Sequence, residues 1–337
     1  MIELTPDLLS RYLTTAIPEW TAAEVTRLDR LPLGASRETY RLDVRVNGAE
    51  TLPLILRRDP PASLVGTDAR TEYESYRAIH GHGVPVPRMI HFETDTAKLG
   101  GAVMIAEDLR GFHNSEYQLQ EPAWADRLPR IAQQMWGMMG TLAAVDVATL
   151  DLSFMPPATI EGAAKQELDL WVAKFRANAS GPDPIFEAAA RELERTLPIA
   201  QKLAMVHGDF RAGNFLYDDD ATVRAILDWE MAHLGDPLED LAWSINRGFC
   251  FGKDDRRSGI APREQVIAIW EKASGLTADP ARLRWYELFS DVKAQALWVS
   301  AANVWTTSEN KDVILGYASW WLQNTQNRAM LETMGRL

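Results

Sequence analysis

Cysteine occurs once in 337 residues, at Cys250. No intrachain disulfide can form, a thiolate zinc site lacks its ligands, and a reducing compartment suits the chain. Histidine is also sparse: there are six, with no HExxH pattern and no compact cluster. Positive charge is in short supply, 35 Lys and Arg against 47 Asp and Glu, for a formal net charge of −12. A phosphate backbone needs a dense basic footprint, so no nucleic-acid partner is expected, whereas a small phosphorylated ligand held by a few local cations is compatible. Runs of 18 uncharged apolar residues are missing, and Met1 to Trp20 lack the basic, apolar and small-residue pattern of a secretory signal. These absences predict a cytoplasmic protein with no membrane partner.

What is present is an ordinary globular composition, 46% hydrophobic and 24% charged, long enough for two lobes. Thr5, Pro6 and Asp7 open a helix over 5–16 as N-cap, first-turn proline and acidic first turn. Two apolar segments, TYRLDVRV and LPLILR, flank Asn47-Gly48, a strong hairpin signal. LPLGASRET, residues 31–39, reads as strand, turn and strand. A helix follows over about 68–80, and VMIAEDL (103–109) reads as a buried strand entering a polar connector. Helical periods cover 123–145, 161–176, 184–196, 264–274, 281–304 and 311–333. The expected fold is α+β: an antiparallel sheet lobe over 1–107, then a mainly helical lobe over 108–337.

One segment of the second half mixes these patterns: LAMVHGDFRAGNFLYDDDATVRAILDWE. A strand ends at Val206, a polar loop follows, and FLY pairs with VRAIL across the Asp218–Asp220 turn. A hairpin returns the chain to its starting end, so Asp209, Asn214 and Asp228 can converge. Oxygen ligands of this kind suit Mg²⁺ and phosphate chemistry, and Asp209 would be left to orient a hydroxyl and take its proton. Isolated Asp and Asn residues in loops also make turns and caps. Residue chemistry alone leaves a metal site and a structural polar turn both open, with a hydrolytic metal site at His207 and His233 a third option.

HGDFRAGN (207–214) followed by ILDWEMAHLGDPLEDLAW (226–243) resembles the aminoglycoside phosphotransferase/choline-kinase-like family, in particular the branch fused to acyl-CoA dehydrogenases. The resemblance runs from Leu33 to the C-terminal helices and is sharpest over 207–243. It implies a protein-kinase-like bilobal fold and ATP-dependent phosphorylation of a small molecule with Mg²⁺. Carried over by position, Asp209 matches the catalytic aspartate, Asn214 a metal-ligand asparagine and Asp228 the metal-binding aspartate. The local sequence is Asp228-Trp229-Glu230, without the Phe and Gly of the protein-kinase motif, so Glu230 is a further residue to locate. Arg211 would contact an acidic group of the acceptor or support the loop, and His207 would organise it.

In the N-terminal lobe, Gly34, Ser36 and Arg37 match the phosphate-covering turn, although with one glycine it is not a Walker A sequence. Arg57 matches the position of the third-strand lysine; Arg58 would point to the opposite face, because strand side chains alternate. Glu72 matches the helix glutamate that pairs with that cation, with Glu74 as a neighbour. Glu107 and Leu109 flank the hinge, where backbone groups would meet an adenine edge. The acceptor is a hydroxyl-bearing small molecule. The family branch points to a hydroxyacyl-CoA or related metabolite; an aminoglycoside or choline-like acceptor is the alternative, and a nucleotide-binding pseudokinase or interaction protein is a further one. Self-association, ATP against GTP, the pathway and any direct catalytic role for Glu230 or His207 stay open.

Overall fold

The computed structural model describes residues 2–31, 38–49, 51–59, 69–252, 255–308 and 311–337. Helix α1 (Pro6–Ala16) starts where the sequence placed it: the Thr5 hydroxyl accepts the Leu8 N–H at 3.3 Å, and Asp7 sits in the first turn. Its Leu9 and Leu13, one turn apart, are fully buried against the sheet.

Five strands form that sheet: β1 (Ala23–Leu31), β2 (Glu38–Val46), β3 (Thr51–Arg58), β4 (Met89–Glu93) and β5 (Val103–Glu107). Their order is β1-β2-β3-β5-β4, every pairing antiparallel. The β2–β3 turn needs left-handed backbone at consecutive positions, φ 52° at Asn47 and 70° at Gly48, which explains the Asn-Gly pair. Tyr40, Leu42 and Val44 of β2 and Leu54 and Leu56 of β3 share one face and pack on α1 in the smaller of two cores. Arg57 therefore projects from the other face. Helix α2 (Ala69–Ile79) lies on that side, and its Tyr76 and Ile79, with Met104 of β5, belong to the larger core.

The larger core is built by α4 (Leu128–Ala144), α5 (Ala163–Asn178), α6 (Pro184–Arg195), α7 (Leu238–Ser244), α8 (Arg263–Ser274) and α9 (Pro280–Thr307), while α3 (Thr96–Leu99) is a single turn beside β5. Trp136, Trp270, Tyr286, Phe186 and Phe289 are its largest fully buried side chains away from the polar loops. The expected helix over 123–145 is two elements: a 3₁₀ segment, Pro122–Arg127, precedes α4 because Pro129 belongs in a first turn and lacks the N–H an interior residue donates. The expected helix over 311–333 is α10 (Val313–Tyr317), a wider π turn (Ala318–Leu322) and α11 (Gln323–Thr333). The wider turn adds a residue that a 3.6-residue period does not register.

Between these helices, β6 (Ala204–Val206) pairs with β9 (His233–Gly235), and β7 (Phe215–Tyr217) pairs with β8 (Val223–Ile226). Phe215 opposes Ile226. That register brings Asn214, just before β7, to Leu227 and Asp228, just after β8. No helix among the described residues is long and apolar enough to cross a membrane.

Candidate active site

Strand β6 delivers His207, Gly208 and Asp209 into a loop pinned at its backbone. Gly208 has φ +85°, and a Cβ there would stand 2.4 Å from the Met231 carbonyl oxygen, so only glycine fits. The Asp240 carboxylate accepts the N–H groups of His207 (2.8 Å) and Gly208 (2.9 Å). Burial pushes the Asp240 carboxyl up to about 6 against the pull of these donors. From the opposite side, Lys293 of α9 donates to the Gly208 carbonyl at 2.7 Å. His207 is fully buried; its Nε2–H donates to the Leu227 carbonyl at 2.9 Å, and Nδ1 accepts the Asp209 N–H at 3.1 Å. Burial lowers its pKa, so the ring is neutral and ties the two arms of the site together.

Three side chains hold the Asp209 carboxylate. Trp243 Nε1 donates to Oδ1 at 2.7 Å, Asn214 Nδ2 donates to Oδ2 at 2.8 Å, and Arg211 Nε lies 3.3 Å from Oδ1. Asn214 Nδ2 also reaches the Asp209 carbonyl at 2.9 Å. With both amide hydrogens committed to Asp209, the Asn214 side-chain oxygen is its outward group. Arg211 further pairs with Glu116 at 3.0 Å. Burial opposes the Arg211 charge, but Asp209 and Glu116 outweigh it and hold its pKa above the ordinary value.

Asp228 has left-handed backbone, φ 68°, a costly conformation for a residue with a Cβ. Its N–H donates to the Tyr76 hydroxyl of α2 at 2.9 Å, so the sheet lobe's helix touches this segment directly. Its Oδ1 is buried with no hydrogen-bond partner among the described residues. Burial pushes its carboxyl above the usual range, Arg57 pulls it down, and Glu72 and Asp209 push it further up. Arg57 forms an ion pair with the fully buried Glu72. Burial opposes the Arg57 charge, yet Glu72, Asp228 and Glu230 prevail and raise its pKa. Arg58 is buried on the other face, donating to the carbonyls of Ile2 (2.8 Å) and Leu99 (2.9 Å). Asp209, Asn214 and Asp228 thus share one cleft with Arg57, and Glu230 is buried beside them.

At the connector, the Glu107 N–H donates to the Arg88 carbonyl (2.9 Å) and the Asp108 N–H to the Pro53 carbonyl (3.0 Å). Leu109 carries the next N–H along the chain. The buried Asp108 carboxylate accepts Arg41 Nε at 2.7 Å and also binds Arg110, which pairs with Asp43 at 2.6 Å. This lattice fixes the crossing between lobes to β2. Gly34, Ser36 and Arg37 lie outside the described residues. Glu74 pairs with Arg77 on the α2 surface at 3.0 Å.

A second ionic cluster adjoins the same loop at Gly208. Oxygens of Glu167 and Glu239 and a nitrogen of His233 lie within 4.8 Å of one another, a spacing that would suit a metal. A cation is already there: Lys293 Nζ is 2.9 Å from Glu239, between the Trp171 and Trp243 rings. His233 is the second positive charge, 3.1 Å from Glu239; burial would lower its pKa, but the carboxylates lift it to about 10. Two carboxylates and two cations balance, which argues against a metal at His233.

Sequence reasoning passed over Trp243, Lys293 and Tyr76, and placed Asp108 in the hinge without a role for its side chain. Trp243 ends the quoted 226–243 segment, and that place in the motif is its one available signal, since 34 residues separate it from Asp209; Lys293 offers none beyond a lone lysine in an apolar stretch of helix.

A family model described as the phosphotransferase enzyme family matches residues 27–286. Among curated proteins, rat (Rattus norvegicus) acyl-CoA dehydrogenase family member 11 is 26% identical over 247 residues, 68% of this chain and 31% of its own. Mouse (Mus musculus) acyl-CoA dehydrogenase family member 10 is 29% identical over 281 residues, covering 78% of this chain and 25% of its own. The chain thus spans about a third or less of these relatives. A Ralstonia eutropha protein described provisionally as an aminoglycoside phosphotransferase superposes over 99% of both chains, with a TM-score of 0.76 at 18% identity.

Proposed function

This chain belongs to the phosphotransferase enzyme family, and on that premise we propose that Asp209, Asn214, Asp228 and Arg57 carry its ATP-dependent phosphoryl transfer to a hydroxyl of a small molecule. The observation that carries the assignment is the convergence itself: a carboxylate with three donors, a second carboxylate with an orphaned oxygen, and a guanidinium anchored by a buried glutamate, all in one cleft.

Transfer needs the β- and γ-phosphate charge neutralised while an acceptor oxygen approaches in line. Arg57 would grip phosphate oxygens through its fork, and Glu72 keeps that fork aimed. Asn214 Oδ1 and the orphaned Asp228 Oδ1 fit a hard cation and would hold Mg²⁺. When bound, that ion supplies positive charge against the phosphate oxygens. An ionised carboxylate offers about four lone-pair positions. Trp243, Asn214 and Arg211 occupy only part of that capacity on Asp209, so it would orient the acceptor hydroxyl and take its proton as the oxygen bonds to the γ-phosphorus and the bond from that phosphorus to the β–γ bridging oxygen breaks, releasing ADP. The Leu109 N–H and Glu107 carbonyl would meet the adenine edge, and Gly34, Ser36 and Arg37 would cover the phosphates. The lobe boundary at 107/108 belongs to this reading, since the hinge is where the nucleotide bridges the lobes.

Among acceptors, an aminoglycoside or choline-like amino alcohol has the wider support: the full-length fold match carries that designation, and a chain of net charge −12 suits a cation. The hydroxyacyl-CoA reading rests on relatives that the chain covers in small part. Phosphate transfer from ATP, assayed across aminoglycosides, choline, ethanolamine and hydroxyacyl-CoAs, tests both. Turnover with none, alongside tight ATP binding, would favour a pseudokinase and end the enzymatic reading.

A further inference from the structure

Away from the cleft, α9, α11 and the residues Asn246, Arg247, Arg257 and Arg263 line an open cavity of about 270 Å³. Four arginines line it, Arg247, Arg257, Arg263 and Arg284, with three carboxylates, Glu287, Asp291 and Glu332. Cations thus gather here in a chain of net charge −12, and charge gathered in a concave wall focuses its field on a ligand.

The carboxylates leave two of the guanidiniums, those of Arg247 and Arg284, with donors to spare. Asp291 is satisfied by neutral donors, Asn246 Nδ2 (2.9 Å), Gln326 Nε2 (2.7 Å) and Thr333 Oγ1 (2.8 Å), rather than by arginine. Glu332 takes one N–H of Arg247 at 2.8 Å, and Arg284 gives one N–H to the Thr333 carbonyl at 2.8 Å. Each of these two side chains has five donors, so each keeps an edge for a further acceptor. Arg263 spends two of its own on Glu287, both at 3.0 Å. Planar forks approaching one space from several elements match the several oxygens of a phosphate better than a single carboxylate.

We propose that this cavity is a binding site for a phosphate-bearing small molecule, separate from the ATP cleft. The site is linked to Asp209 through two side-chain contacts. Arg247 opens a 3₁₀ turn whose Phe249 packs edge-on against Trp243 at 5.5 Å, and Trp243 holds Asp209. The phosphate belongs either to a substituent of the acceptor or to an independent metabolite; the chemistry of capture is the same.

The test is calorimetric titration of inorganic pyrophosphate into the full chain saturated with AMP-PNP at fixed free magnesium, so that the nucleotide site is filled. Saturable one-site binding that weakens as salt rises is expected. It should fall at least tenfold in the double variant Arg247→Gln/Arg284→Gln and persist in an Arg27→Gln control on β1. Arg247, Arg284 and Arg27 are all exposed, so the fold tolerates these changes. Absence of binding, or binding that the double variant leaves intact, overturns the proposal. In transfer assays, pyrophosphate inhibition relieved by the double variant supports the site, with competition against the acceptor assigning the phosphate to the acceptor and non-competitive inhibition assigning it to a separate molecule. The titration involves no turnover, so its failure is distinguishable from failure of the catalytic assignment.

Discussion

Two ionic clusters adjoin the loop over residues 207–214, and they are built to opposite specifications. In one, Arg57 and Arg211 face Glu72, Asp228, Asp209 and Glu116, four carboxylates to two guanidiniums; Asp228 keeps a left-handed backbone and a buried oxygen without a partner among the described residues. In the other, Glu167 and Glu239 face His233 and Lys293, two charges against two, and Lys293 also closes on the Gly208 carbonyl. The difference separates a cluster with an excess of carboxylates, as the proposed site requires, from one whose charges close on themselves. Acidic clusters look alike in sequence; only the presence or absence of an internal counter-charge tells them apart.

Breaking the balanced cluster should cost most. Lys293→Met leaves Glu239 buried without its main cation, and removing one partner of a buried pair typically costs about 3–5 kcal/mol. Urea unfolding should show that loss, and turnover should fall with it because the Gly208 carbonyl loses its donor. A variant as stable as the parent would make the balanced cluster incidental. The carboxylate-rich cluster should respond in reverse. Asp228→Asn is expected to lower phosphate transfer by about 10²–10³, the scale of one preorganised electrostatic contact, while the protein without nucleotide melts at a higher temperature. Burial and the neighbouring Glu72 and Asp209 all disfavour that ionised carboxylate, and relieving such strain at an active site commonly stabilises.

A smaller effect sharpens the link between the clusters. Trp243→Phe keeps an aromatic ring over Lys293 but deletes the N–H on Asp209 Oδ1, a bond to a charged group of about 1.5–3 kcal/mol. The expected signature is a fall in kcat of about tenfold to 100-fold with the KM for ATP unchanged. The last effect is a slope. Because His233 is raised to about 10 in the folded state from an ordinary 6.5, its contribution is complete below about pH 6.5 and is lost as pH climbs toward 10. Melting temperature should decline across that window, and His233→Gln should flatten the decline.

Much of this was legible before any coordinates. Alternation along LILRR separates Arg57 from Arg58, and a hairpin of fixed register must return Asp228 to Asn214; both follow from local rules. Asn47-Gly48 announced the β2–β3 turn for the same reason. What escaped depends on distance along the chain: Lys293 meets Gly208 across 85 residues and Tyr76 meets Asp228 across 152, and neither contact leaves a local pattern. Asp108 was hidden differently, since its binding of Arg41 and Arg110 arises only once the connector crosses β2.

The most direct measurement compares Asp209→Asn with the parent in two readouts on the same preparation, ATP affinity in magnesium and transfer to an accepted hydroxyl. The account requires transfer to collapse by about 10³, within the range for losing a general base, while ATP affinity stays within about threefold. Transfer at the parental rate would remove Asp209 from the chemistry and the cleft assignment with it.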